Sequence, residues 1–456
     1  MTKILIKGGH VVTAGKVTQQ DVLVEGEQIT ALGDIPGIEV HKEIPAQGLL
    51  VLPGAVDTHV HFNDEFMNTM SVHDYESGTL AAAFGGVTSV VDFSNQLPER
   101  PLLHTLEVKK QEAQGKAYVD WGVHPVITHL RPEILDEIPL LVQRGAPTIK
   151  CYMVYREEGL MVEEKDLKRI MKVLQKSGGM LMVHAEDNDL IEKHRSPLIQ
   201  KGFTQAIYHA RSRPPEAENR AIRRCIGLAE ETGARLFFVH MSTKEGVDLV
   251  GEAQDKGVEV LAETCIHYLY FTEAQLERKD GIKWICSPPL RTQEHQDKLW
   301  QGLEKGQVAM VTTDDAAYSW EAKLKGRDRF DQCPNGIPGI EVRLPLLYSE
   351  GVSKGRLTVT QMAELISTRP AEIFGMAPKK GTLEPGADAD IVLFDPEKKW
   401  IMSQDTLHMA ADWTAYEGIE VTGRVEKVFS RGELIVDGPR FLGQKGRGRY
   451  IQRKLK

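Results

Sequence analysis

The residues of this chain best suited to chemistry are imidazoles, carboxylates and one lysine that recur at the ends of apolar runs. The first such run closes on Asp57-Thr58-His59-Val60-His61. In an extended strand residues i and i+2 share a face, so both imidazoles project the same way with Asp57 behind them. Later runs close on Ile149-Lys150-Cys151-Tyr152, Met182-Val183-His184-Ala185-Glu186, Val239-His240-Met241-Ser242 and Thr312-Thr313-Asp314-Asp315. A single strand-end histidine is most often a hydrogen-bonded core residue, and an HxH pair occurs in many unrelated proteins. Four imidazoles, a lysine and a carboxylate at the ends of five runs are harder to explain as packing. Burying them costs free energy unless partners satisfy them, and divalent metal is such a partner.

Lys150 is the odd member. An ammonium aimed at a metal cluster would meet desolvation and cation repulsion, and it has no acceptor atom. A neutral amine could instead react with carbon dioxide. The resulting carbamate offers two oxygens, enough to bridge metals about 3.5–4 Å apart. The competing reading is a lysine that snorkels to the surface, and its apolar strand setting speaks against that.

These groups meet only if the strands that carry them end at one place. The apolar β-rich runs are Leu50–Phe62, Val87–Phe93, Tyr118–Val126, Thr148–Met153, Met180–Glu186, Leu236–Ser242, Val258–Cys265 and Val308–Asp315. Helix-like stretches lie between them, among them Asp74–Phe84, Leu102–Gln114, Glu163–Lys176, Pro215–Glu231 and Lys244–Asp255. Near-continuous Val/Ile/Leu/Met strands are what a parallel sheet buried on both faces requires. Eight such units predict an α/β fold, a (β/α)₈ barrel, with an open doubly wound sheet as the alternative. A barrel assembles its site at the C-terminal ends of its strands. The two chain ends read differently. Residues 3–32 form short alternating strands broken by glycines, and 390–395, 425–430 and 433–436 share that character, so both termini are expected to build one small β domain.

The whole chain has 456 residues, 41% hydrophobic and 27% charged, which is ordinary globular composition. Its net charge of −9 argues against general nucleic-acid binding, which needs a basic surface. The run Gly443–Lys456 carries Lys445, Arg447, Arg449, Arg453, Lys454 and Lys456 with no acid, and reads as a solvated end or a subunit contact. No apolar stretch is long enough for a signal-peptide core or a membrane span, so a cytoplasmic location without membrane contact is expected. The 5 cysteines are odd in number and lack any CxxC, which points to neither a disulfide framework nor a thiolate zinc site.

The sequence resembles the cyclic amidohydrolases, specifically their dihydropyrimidinase/hydantoinase branch, over essentially its whole length. The likeness is carried by GAVDTHVHF (54–62), FMNTMSVHDYESGT (66–79), IKCYMVY (149–155), MVHAED (182–187), YHARSRPPEAE (208–218), AETCIHYLY (262–270), CSPPLR (286–291), PNGIPGIE (334–341) and KGTLEPGADADIVLFDP (380–396). The resemblance implies a barrel over 53–379 and a β-sandwich formed by 1–52 with 380–456. It implies His59 and His61 on one divalent metal, His184 and His240 on a second, and carbamylated Lys150 bridging them. Zinc is the expected metal and manganese the alternative. Asp314 would ligate metal and act as the acid/base, Tyr155 would donate to the developing oxyanion, and main-chain groups of Ser287 and Asn335 would hold a cyclic amide or imide. The product would be an N-carbamoyl amino acid, and the assembly a homotetramer.

One position departs from the family pattern: Asp315 stands where a histidine usually follows the catalytic aspartate, adding negative charge expected near the metals. Dihydroorotases follow HxH with phenylalanine and arginine; here Phe62 precedes Asn63, Asp64 and Glu65, which would repel a substrate carboxylate. Allantoinase remains an alternative through HFND, although CSPPLR and the Tyr155 spacing favour hydantoinase. The related collapsin response mediator scaffolds have lost metal ligands that are all retained here. Phe66, Met67, Leu160 and Met161 lie in loops that contact the ring substituent in this family, and suit an apolar or aryl group; packing within the loops is the competing reading.

Overall fold

The structure, a computed structural model, describes residues 2–13, 15–97 and 99–456. Eight parallel strands follow one another around a barrel: Ala55–Val60, Val87–Asn95, Asp120–Val126, Thr148–Tyr152, Met180–His184, Arg235–Phe238, Val260–Cys265 and Met310–Thr312. The ring closes between its last and first strands through a parallel bridge from Val60 to Asp315. There His61 N donates to Asp315 O at 2.9 Å and Asp315 N donates to His59 O at 3.3 Å.

Helices cover the outside for reasons visible in their residues. Glu164–Ser177 buries Leu167, Ile170, Met171 and Leu174, the i, i+3, i+4, i+7 stripe of one helix face, and stops at Gly178 in the left-handed region at φ 74°. Burial of each such side chain is worth about 1.5–3 kcal/mol. Tyr75–Phe84 starts at Asp74, whose carboxylate accepts from Ser77 N while the Ser77 hydroxyl reaches back, a capping box. Buried Ala81, Ala82 and Ala83 let this helix pack close.

The run Leu50–Phe62, which reads as a single strand, is divided. Leu50–Pro53 pairs with Lys3–Thr13 and Ile391–Ile401 in a second sheet, and only Ala55–Val60 enters the barrel. Gly54 makes the junction; a Cβ there would lie 2.2 Å from Thr88 Oγ1, so no side chain fits. The second sheet has nine strands, drawn from Lys3–Pro53 and Ile391–Phe441, around its own apolar cluster of Ile6, Val24, Val51, Ile391 and Phe429.

Part of the basic C-terminal run packs against the barrel, while Lys445, Arg449, Lys454 and Lys456 stay exposed. Ile451 N donates to Trp121 O at 2.7 Å, Arg449 pairs with Glu27 at 2.6 Å, and Arg453 is buried with its guanidinium on Val123 O and Thr148 Oγ1. Lys445 and Arg447 likewise pair with Glu76 and Glu433. All five cysteines are buried and unpaired. Among the described residues no helix is long and apolar enough to cross a membrane.

Candidate active site

The strands bring the singled-out residues together at one end of the barrel. His59, His61, Lys150, Tyr155, His184, His240, Ser287, Asp314 and Asn335 all line one cavity. His59 and His61 come from the first strand end, Lys150 from the fourth and His184 from the fifth. His240 and Asp314 stand two residues beyond the sixth and eighth strands, with left-handed backbones at φ 40° and 49°. Tyr155 has φ 67°. Non-glycine residues reach this region only under strain of about 1–3 kcal/mol, which the surrounding packing must hold.

Hydrogen bonds from behind orient three of the four rings. His59 Nδ1 meets Glu263 Oε1 in a short contact; His61 Nδ1 meets Asp64 Oδ2 at 2.8 Å; His184 Nε2 meets Glu186 Oε2 at 2.7 Å. In a neutral ring, a carboxylate on one nitrogen makes that nitrogen the donor and leaves the other as a lone pair, the arrangement found behind metal-binding histidines. The remaining nitrogens of His59 and His61 converge on Asp314 Oδ1 at 2.9 and 3.2 Å. The His184 and His240 rings are 4.4 Å apart, and those of His59 and His240 5.4 Å.

This donor set fits divalent metal. Ligand atoms of His59, His240 and Asp314 lie within 4.8 Å of one another. His240 Nδ1 is buried with no hydrogen-bond partner, which is costly unless something else takes its lone pair. Lys150 is 1% exposed, and its Nζ sits 4.9 Å from the ring centres of Phe93 and Tyr152. Burial pushes its ammonium down to about 8, against the pull of Asp314 and Glu263, so the neutral amine is accessible near physiological pH.

The other groups divide by charge. Burial alone would raise the Asp314 carboxyl, yet the imidazoles of His59 and His61 hold it well below the usual range, so it is an anion. Burial lowers His61, but hydrogen bonds to Asp314 and Asp64 outweigh it and carry the ring up to about 9. Burial pushes the Tyr155 phenol up to about 12 and keeps it a proton donor. Its hydroxyl lies beside Ser287 and Asn335, and the Arg213 guanidinium sits 5.3 Å over its ring. Arg213 also binds Glu186 at 2.6 Å and so ties the tyrosine to the carboxylate behind His184.

Asp315 departs from expectation. Its carboxylate is absent from the cavity lining and turns into the core instead. Oδ2 accepts from His73 Nδ1 at 2.6 Å, and Oδ1 accepts from Gly339 N at 2.7 Å and Ile340 N at 3.1 Å. His73 Nε2 in turn accepts from Ala410 N at 3.0 Å. The extra acid therefore serves as an anchor for the 334–341 loop.

Phe66 and Leu160 line the cavity, joined by Tyr152 and Tyr318; Met67 lines a neighbouring recess, and Met161 bridges back to Tyr152. Sequence reasoning missed Glu263, Arg213, Tyr318 and the orienting role of Asp64 and Glu186. Only the last two carried a local signal, standing three and two residues after a histidine.

Comparison with known proteins agrees with this geometry. A model described as the Amidohydrolase family matches residues 50–435. The chain is 39% identical to a D-hydantoinase of Geobacillus stearothermophilus, covering 99% of this chain and 97% of that protein. It is also 39% identical to a D-phenylhydantoinase of Escherichia coli, covering 99% and 98%. Among solved structures it matches a dihydropyrimidinase from Brevibacillus agri with a TM-score of 0.97 at 38% identity, covering 99% of each chain.

Proposed function

The chain belongs to the amidohydrolase family, and from that premise we propose that it is a cyclic amidohydrolase opening hydantoin and dihydropyrimidine rings to N-carbamoyl amino acids. The observation that carries the reading is the meeting of His59, His61, Lys150, His184, His240 and Asp314 with Tyr155, Ser287 and Asn335 around one cavity.

His59, His61 and Asp314 would hold one divalent ion and His184 and His240 the other, with carbamylated Lys150 between them; zinc is the first expectation and manganese the alternative. Once bound, the ions supply Lewis acidity and a water acidic enough to lose its proton near neutral pH. Lys150 reaches its bridging form when the neutral amine adds to carbon dioxide and releases one proton. Main-chain groups of Ser287 and Asn335 hold the amide edge of the ring. The Tyr155 hydroxyl donates to the carbonyl oxygen as that oxygen becomes anionic. Asp314 accepts the proton of the attacking water and delivers it to the ring nitrogen as the C–N bond breaks. One water is consumed and one proton released, and the open product carries a carboxylate and a ureido group.

Phe66, Tyr152, Leu160 and Tyr318 around the same cavity suit an apolar or aryl substituent on the ring carbon. The division into a barrel, 53–379, and a β domain, 1–52 with 380–456, belongs to this reading, as do a homotetramer and a cytoplasmic location. Light scattering on purified protein and cell fractionation check the last two.

The test is turnover of dihydrouracil, hydantoin, 5-phenylhydantoin and allantoin by protein loaded with zinc or manganese. Ring opening of the first three, abolished by prolonged chelation, is expected. Turnover of allantoin alone would replace the reading with an allantoinase, and full activity in rigorously metal-free protein would refute the binuclear site.

A further inference from the structure

Lys323 is fully buried on the short helix Trp320–Leu324, and nothing in the proposed reaction uses it. Its Nζ donates to Ile285 O at 3.0 Å, Pro334 O at 3.0 Å and Gly336 O at 3.1 Å. An ammonium has three N–H groups, so every donor is spent on a main-chain carbonyl. The neighbouring ionisable groups are the thiols of Cys333 and Cys286 and the His209 imidazole, and the Trp413 ring lies 5.8 Å away. A buried cation without an acid partner is expensive. Three carbonyl dipoles offset that cost only while they stay converged on one point.

Those carbonyls flank the two segments proposed to hold the ring amide. Ile285 leads into Cys286 and Ser287, and Pro334 and Gly336 enclose Asn335; Cys286, Ser287, Asn335 and Gly336 all line the cavity. The segments are also joined directly, since Gly336 N donates to Ile285 O at 3.0 Å. Gly336 is wedged from the other side: a Cβ there would come within 2.4 Å of Ala316 O.

We infer that Lys323 is a positioning residue for ring opening, its ammonium pinning together and polarising the main-chain segments that carry Ser287 and Asn335. The polarisation follows from peptide chemistry. The Pro334 carbonyl shares its peptide unit with the Asn335 N–H, and the Ile285 carbonyl with the Cys286 N–H. A cation on the oxygen strengthens the hydrogen bond the nitrogen can donate. Lys323 thus acts on the edge that grips substrate, and it touches none of the proposed metal ligands. This inference rests on the function proposed above.

The experiment compares Lys323→Met, similar in length without charge or donors, and Lys323→Gln, with two donors and no charge, against wild type. Each is loaded with zinc, and kcat and KM for hydantoin are measured beside metal content. Loss of binding shared by ground and transition states raises KM and spares kcat. KM should rise at least about tenfold in the methionine variant and less in the glutamine variant, with kcat within about threefold and about two ions per chain retained. An unchanged KM in either folded, metal-loaded variant would overturn the inference, as would parallel loss of metal and kcat. Should neither variant fold, amide exchange in wild type decides: 285–287 and 334–337 should open as one unit and gain protection together with hydantoin, and independent opening would overturn the inference. Absence of ring opening by wild type would instead defeat the functional reading.

Discussion

Replacing Glu263 with glutamine keeps the size of a fully buried side chain and removes only its charge. Glu263 Oε1 contacts His59 Nδ1 and lies 3.4 Å from His240 N, while its Oε2 is buried without a hydrogen-bond partner. The carboxylate therefore keeps a proton on Nδ1 and leaves Nε2 as the nitrogen that would face a metal ion. A hydrogen bond to a charged group is worth about 1.5–3 kcal/mol and a neutral one about 0.5–1.5, so the substitution weakens His59 as a ligand by about 1–1.5 kcal/mol. At 1.4 kcal/mol per decade that is about tenfold in metal affinity, the lower end of the 10–100-fold range for orienting carboxylates. The assay is metal content after dialysis against a graded series of chelator concentrations, with circular dichroism to show that the fold persists. Hydantoin turnover should fall in step with occupancy and recover at excess zinc. Affinity within about twofold of wild type would refute the assignment of Glu263 as the group that orients His59, since the 10-fold lower bound would then be missed.

Asp314→Asn should retain most of its metal while turnover drops at least about a hundredfold, because the amide cannot accept the proton; steady-state kinetics beside metal content check this. Asp315→Asn should instead act on stability. Its amide would face either the His73 Nδ1 donor or the Gly339 and Ile340 donors, costing about 1–3 kcal/mol in a denaturant titration. Lys150→Ala should lose metal and activity together, with partial rescue by short carboxylates, whereas wild-type activity in Lys150→Arg would rule out a bridging carbamate. Asp74→Ala removes the cap of Tyr75–Phe84 and should cost about 1 kcal/mol at neutral pH. Hydrogen bonds from Ser77 outweigh burial and lower the Asp74 carboxyl, so this contribution is complete above about pH 3.9 and fades as pH falls through the folded value. The gap between wild type and variant should close in acid unfolding curves.

Much of the site was legible along the chain because strand patterning and barrel geometry are local rules. A short apolar run announces a buried strand, its polar terminus marks the end, and parallel closure sends every such terminus to one rim. His59, His61, Lys150 and His184 needed no more than that. His240 and Asp314 lie two residues beyond their strands, so their left-handed backbones were not visible in the pattern.

By itself the sequence determined which residue types stand at the strand ends and that eight strand–helix units carry them. Tertiary structure alone decided their partners. Glu263 meets His59 across 204 residues, and Asp315 meets His73 across 242. Lys323 finds carbonyls on two separate segments. An unbroken apolar run passes from one sheet to the other at Gly54, where Thr88 leaves no space for a side chain. Periodicity reports whether a residue is buried and on which face. Which charge satisfies which buried donor depends on the closure of the ring, and that closure brings together residues with no sequence relation to one another.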